Sequence, residues 1–247
     1  MLANLDINSI ILIFLAISLG GFVKGVISFG LPLVALPILS FALNPKQAIF
    51  LLFFTVIAVN LREIKFKNFE SYKKVTFLSL GVFTGIIIGS ILFHKIEDNI
   101  ISQLIGFMIV LAAIINFTNF TIERRFLLNK YFSMSYGLFC GIIGGITTLV
   151  GPLIAVYLVS LKLEKEEFSE LISLTVFTCL LPIYSVFFIY QPVLFNDFLI
   201  SLSLVIPAVL MQMLGFKIRK NLPQNIFKKI ILIILTIIGT MVIYKNW

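Results

Sequence analysis

Gly20-Gly-Phe-Val-Lys-Gly-Val-Ile-Ser-Phe-Gly-Leu-Pro32 closes an apolar run that begins at Ile7 and opens a second, shorter one, Leu33–Leu43. Ile7–Ser28 has the ~20 residues a helix needs to cross ~30 Å of hydrocarbon. The second arm, about eleven residues or roughly 17 Å as helix, is too short to cross comfortably. Glycine permits unusual backbone angles and proline removes a donor, so Phe29-Gly-Leu-Pro32 predicts an interruption. The segment reads as a broken or re-entrant helical hairpin that returns to its starting side. Phe132–Leu161 carries the same signature, with Gly144-Gly145 and Gly151-Pro152 interrupting it. The chain is expected to be non-helical around Ser28–Leu31 and Gly144–Leu149.

Gln47–Leu61, Val75–Phe93, Ile100–Phe117, Leu171–Tyr190, Leu194–Gly215 and Ile230–Tyr244 are also mostly apolar. Lipid cannot pair exposed backbone groups, so such runs must be helices, and the period-two alternation of a barrel is absent. Charged residues are 12% of the 247, where a soluble domain carries about 25%. Mean hydropathy is +1.12. The expected class is an all-α polytopic membrane protein. Its first helix is expected to be retained, since no basic residue or cleavage site precedes Ile10. Cys140 and Cys179 lack metal-ligand spacing and read as small core residues.

The net charge of +8 reflects where the basic residues lie, not a nucleic-acid partner. They cluster at Arg62–Lys74, Arg124–Lys130, Lys162–Lys165 and Lys217–Lys229. Cytoplasmic loops collect Lys and Arg, so all four clusters are assigned to the inside. The sequence also reads as duplicated: Gly21–Gly25 echoes Gly137–Gly141, Pro37 answers Pro152, and Ile96–Ile100 answers Leu222–Ile226. Equivalent loops carry opposite charge bias, as two copies inserted in opposite directions should. This gives two inverted-topology repeats, residues 1–120 and 132–247, joined by a cytoplasmic linker at 121–131. Each holds one hairpin and three crossings, and the N-terminus lies outside. Two kinked helices in a parallel four-plus-four repeat is the competing layout, and it leaves Lys217–Lys229 outside.

The eleven acidic residues are assigned to loops or segment ends, leaving no buried carboxylate pair for a proton relay, acid–base catalysis or a metal. No cofactor is implied, and an enzyme is disfavoured. Lys24 stands alone as a charge in the apolar segments. At membrane depth it costs ~3 kcal/mol or more and needs an anion or water. It reads as an anchor for an anion, or else as a lysine reaching toward headgroups. The half-helix N-termini at the breaks favour anions, and Ser28, Thr147 and Thr148 add hydroxyls. The small residues there would alternatively serve helix packing alone.

Gly21–Gly30 leading to Leu36-Pro37, and Gly137–Gly145 leading to Gly151-Pro152 and Tyr157, resemble the TauE/SafE family of sulfite exporters. One branch of that family has a basic residue where Lys24 stands and Gly-Phe-Gly where this chain has Ser28-Phe29-Gly30. The resemblance implies carriage of sulfite, thiosulfate or an organosulfonate across a bacterial inner membrane. Candidate substrate-binding residues are Lys24, Ser28, Phe29, Gly30, Pro37, Gly144, Gly145, Thr147, Thr148, Gly151, Pro152 and Tyr157. The expected partners are a small anion and lipid; a passive anion channel, a membrane enzyme and an assembly factor are the alternatives.

Single cysteines introduced at Asn68 and Asn225, with Cys140 and Cys179 replaced by Ser, are expected to react only with a cytoplasmic reagent. Labelling of either from outside contradicts the inverted layout.

Overall fold

The computed structural model describes residues 6–65, 69–117, 121–221 and 223. The expected last crossing, Ile230–Tyr244, lies outside the described residues, as do Lys67, Asn68, Asn225, Lys228 and Lys229. Within them the chain is helical, in the order α1 (Ile7–Ile27), α2 (Leu31–Leu39), α3 (Pro45–Leu61), α4 (Phe69–Lys73), α5 (Thr76–Lys95), α6 (Asp98–Phe117), α7 (Arg124–Leu127), α8 (Lys130–Thr147), α9 (Gly151–Ser160), α10 (Lys165–Tyr190), α11 (Phe195–Ser203) and α12 (Val205–Asn221). Residues 7–27, 76–95, 165–190 and 195–221 are long and apolar enough to cross a membrane. Local chemistry sets several starts. Asp6 caps α1 by accepting from the Ser9 N–H, and Asn129 caps α8. Asn44 and Gln47 cap each other's backbone ahead of α3, with Pro45 in its first turn.

The interruptions are tight. After α1, Ser28 takes a left-handed conformation (φ 72°) and Gly30 a φ of 108°; α2 then begins with Pro32 in its first turn. After α8, Thr148 is left-handed (φ 60°), and α9 begins with Pro152 in its first turn. Only part of Gly144–Leu149 is therefore non-helical. Gly144 and Gly145 lie inside α8, and the break falls at Thr148. The two glycines are kept for proximity. A Cβ on Gly145 would strike the Ile86 oxygen and the Ser90 nitrogen of α5 at 2.7 Å, and one on Gly144 would strike Val150 at 2.6 Å.

The structure also changes the register between the halves. Ser28, Leu31 and Pro32 recur with the same spacing as Thr148, Gly151 and Pro152, so Pro32, not Pro37, is the counterpart of Pro152. In that register Gly21 and Gly25 match Gly141 and Gly145. Pro37 sits inside α2, where its carbonyl accepts from the Ser40 hydroxyl at 2.7 Å. A second unexpected break separates α11 from α12 at Leu204. Pro207 lacks the N–H that would continue α11's ladder there.

Contacts along the helices fix their relative directions. Gly21 lies by Ala208 and Gly25 by Gln212, so α1 and α12 are parallel. Gly81 lies by Met134 and Gly89 by Ile142, so α5 and α8 are parallel. Ser201 donates to the Leu51 carbonyl at 3.0 Å and Gln212 to that of Val59 at 2.8 Å, aligning α3 with α11 and α12. Tyr184 donates to the Ile49 carbonyl at 3.2 Å, whereas Ser173 meets Glu63 at 2.7 Å, so α10 runs against α3. Ser79 donates to Thr175 at 3.4 Å and His94 stacks on Tyr190, so α5 runs with α10. Helices α1, α3 and α12 thus point one way, and α5, α8 and α10 the other.

These directions bring the described members of all four basic clusters to one end. The Arg62–Lys74 loop is stitched to the acidic first turn of α10, through Lys65–Glu166 at 3.0 Å and Lys74–Glu167 at 2.7 Å. Carboxylates there also complement the helix dipole. Large apolar side chains such as Ile10, Phe14, Phe107, Leu181, Ile189 and Ile206 face outward, as lipid contact requires.

The tightest packing runs along two glycine seams. Gly81, Gly85 and Gly89 of α5 face Gly137, Gly141 and Gly145 of α8, and Gly21 and Gly25 of α1 face α12 at Ala208, Gln212 and Gly215. A Cβ at most of these positions would overlap the opposing backbone. Gly85→Val is expected to cost about 2 kcal/mol or more through overpacking, read as a lower melting temperature in detergent. Ile88→Val, on the outward face of the same helix, should leave that temperature unchanged.

Candidate functional site

The two interruptions touch each other. Phe29, in the first, lies against Gly151, in the second; a Cβ on Gly151 would sit 3.4 Å from that of Phe29. Beside this contact is a small cavity of about 30 Å³. Pro32 closes it from the first break, Thr148 and Val150 from the second, and α3 and α10 wall it with Val56 and Tyr184 among others. The first turns of α2 and α9 have no side-chain cap, and their backbone N–H groups carry the partial positive charge of a helix start. Both arms thus begin at the same interior point.

A charged cluster lies one turn nearer the basic end, since Ser173 precedes the cavity-lining Val176 on α10. The Lys24 side chain is buried inside the bundle and not exposed on its surface. Its Nζ donates to the Ser28 carbonyl, to Ser173 Oγ at 2.7 Å and to Glu63 Oε2 at 3.1 Å. The Lys24, Glu63 and Arg219 side chains are respectively 3%, 7% and 8% exposed. Arg219 donates to Ser28 Oγ and, at 2.9 Å, to Ser169 Oγ, and stands 3.7 Å from Glu63 Oε1. Glu63 also accepts from Ser169 at 3.0 Å, Ser173 at 2.7 Å and the Gln212 amide at 3.3 Å. Burying charge is tolerated where each group is paired and hydrogen-bonded in this way. Two cations and one carboxylate leave the cluster with a formal charge of +1.

Of the residues singled out from sequence, Lys24 and Ser28 enter the charged cluster, while Phe29, Thr148, Gly151 and the first turns bearing Pro32 and Pro152 surround the point where the breaks meet. Gly30 supplies the backbone angle before α2. The Thr147 hydroxyl donates to the Ile143 carbonyl at 2.8 Å and accepts from the Leu149 N–H, so it secures the end of α8. Tyr157 lies elsewhere. Its hydroxyl meets Ser133 at 2.7 Å and the Leu127 carbonyl at 3.4 Å, tying α9 to α8 and α7. Gly144, Gly145 and Pro37 act in helix packing as described above.

Three charged residues escaped the sequence reading. The Glu63 side chain is only 7% exposed although it follows α3 on a turn, and Glu170 is buried inside α10, accepting from Tyr72 Oη at 2.7 Å. Glu63 does lie beyond a helix end, as expected, but Glu170 stands inside α10, and Lys24 is not the lone buried charge. Arg219 is the third. It lies within α12 because the helix continues past Gly215 to Asn221. The 208, 212, 215, 219 spacing, one face of a helix, was the available signal.

The family profile described as Sulfite exporter TauE/SafE matches residues 13–242. No curated protein matches the chain. No solved structure matches it either.

The breaks make opposite predictions for stability. Gly30→Ala places a side chain at φ 108° and is expected to cost about 1–2 kcal/mol. Thr148→Gly removes a β-branched residue from a left-handed conformation and is expected to hold or raise the melting temperature. A stabilising Gly30→Ala would show that the break relaxes in solution.

Proposed function

We propose that this chain, which belongs to the sulfite exporter TauE/SafE family, carries a small sulfur-containing anion such as sulfite, thiosulfate or an organosulfonate across a bacterial inner membrane by alternating access. It is a multi-pass membrane protein. The observation that carries the proposal is the meeting of Phe29 with Gly151, two helix interruptions from opposite halves of the chain, next to the buried Lys24.

The halves 1–120 and 132–247 are read as inverted repeats. Support comes from the directions of corresponding helices, since α1 runs opposite to α8, α3 to α10 and α5 to α12. The gathering of the basic residues at one end supports placing that end in the cytoplasm and the N-terminus in the periplasm. Carriers of this kind hold substrate where discontinuous helices meet near the bilayer midplane. On this reading the anion is drawn by Lys24 and the starts of α2 and α9, with Ser28 as a hydroxyl donor and Thr148 as another once it leaves the Thr147 carbonyl. The cavity of about 30 Å³ beside the two breaks is too small for a sulfonate. It therefore represents a closed arrangement, and passage requires the two halves to rock apart.

Protein reconstituted in vesicles should move sulfite or a small sulfonate, and Lys24→Ala should cut that flux about tenfold or more, the equivalent of losing one charge-assisted contact. Unchanged flux would remove Lys24 from the pathway. Turnover far above that of a conformational cycle would indicate an open channel instead.

A further inference from the structure

The surroundings of Glu63 have the form of an anion site whose occupant is part of the chain. Lys24 arrives from α1, Ser169 and Ser173 from α10, and Gln212 and Arg219 from α12. Lys24, Ser169, Ser173 and Gln212 each donate to the Glu63 carboxylate, and Arg219 pairs with it at 3.7 Å. Without Glu63, what remains is two cations, the Ser28, Ser169 and Ser173 hydroxyls and one amide, with no acidic side chain in contact. A sulfonate or sulfite offers three oxygens to the same kinds of donor. The helices supply the donors, while the acceptor hangs from the turn after α3. A local change in that turn would withdraw the carboxylate and leave the helical cage in place.

We infer that Glu63 is a tethered stand-in for the transported oxyanion: it neutralises the Lys24–Arg219 pair when the protein is empty and is displaced when a sulfonate or sulfite enters. This rests on the transport reading above and adds to it Arg219, Ser169, Ser173 and Gln212 as ligands and Glu63 as an internal competitor. Displacement also provides a gate. With Glu63 seated, α1, α10 and α12 are held together at the basic end of the bundle. A free anion bound in its place holds those helices but releases the α3 turn.

The test uses the full chain in detergent, with binding read as the rise in melting temperature on adding methanesulfonate or sulfite at constant ionic strength. Without added anion, Glu63→Gln should melt below wild type, because two buried cations lose their partner. Methanesulfonate should restore it, with a half-saturating concentration about tenfold or more below that of wild type. Adding Lys24→Ala or Arg219→Ala to Glu63→Gln should abolish the restoration. A Glu63→Gln protein that binds no more tightly than wild type overturns the inference. If that variant fails to fold, Glu63→Asp decides, because its shorter carboxylate keeps the charge but is withdrawn from the cage. Tighter binding than wild type supports displacement, and equal or weaker binding overturns it. Sulfite binding to wild type without any gain in the Glu63 variants leaves the transport reading standing and removes the stand-in. Nitrate or phosphate stabilising the Glu63 variants more than wild type, where sulfite and methanesulfonate do neither, keeps the cage and refutes the sulfur specificity. If no anion stabilises any of these proteins, the cage is overturned as well.

Discussion

Ending a helix inside an apolar bundle leaves backbone carbonyls that neither water nor the next turn can pair. At the end of α1 this constraint is met twice over. The Ser28 N–H still closes onto the Lys24 carbonyl at 2.8 Å, and the Lys24 ammonium turns back to the Ser28 carbonyl. The lysine therefore caps the helix that carries it, near the negative end of that helix's dipole. Its remaining donors reach Glu63 and Ser173, which join the break to α10 and the end of α3. The second break has no such cation. Gly144 stands where Lys24 stands in the first half, and Thr147 and Thr148 use their hydroxyls on nearby carbonyls instead. The two halves share a backbone event but differ in charge, which concentrates the electrostatics on one side of the contact between Phe29 and Gly151.

Two ways of using glycine divide the labour in this fold. Gly30 is used for its backbone angle. The glycines of α1, α5 and α8 are used for nearness, letting main chains approach where lipid offers no hydrophobic drive for association. In sequence the two uses look alike. That ambiguity is why Gly144-Gly145 reads as the interruption, when the interruption belongs to Thr148 and the glycines to helix contact. Proline is equally ambiguous: Pro32 and Pro152 start helices, Pro37 sits within one, and Pro207 lies just beyond a break.

Much of the framework is visible in composition and order. The apolar runs predict the described spans closely, and the clustering of Lys and Arg anticipates the end of the bundle where they gather. The Gly and Pro signals place the first interruption correctly. The candidate site is less legible, because it is assembled from parts that each look ordinary. Glu63 reads as a loop residue in a charged stretch, and Arg219 as one more cation in a basic tail. Only the folding of the α3 turn onto α10, and the continuation of α12 beyond Gly215, bring them to Lys24. Burial of a charge at a segment end is a tertiary fact, and no periodicity announces it.

Each glycine seam joins a helix from before residue 121 to one from after it: α1 with α12, and α5 with α8. The long contacts of α3 with α11 and α12, and of α10 with α5, obey the same rule. The chain is consequently braided, and neither portion owns the neighbours against which its first helix is shaped. A ribosome that has made only the first hundred or so residues has made a helix whose closest mate does not yet exist. Gly21 and Gly25 then present bare backbone, and Lys24 and Glu63 have not yet met Arg219. Completion of the C-terminal portion is therefore a condition for the N-terminal portion to settle, so biogenesis in the membrane ends in one late, collective closure.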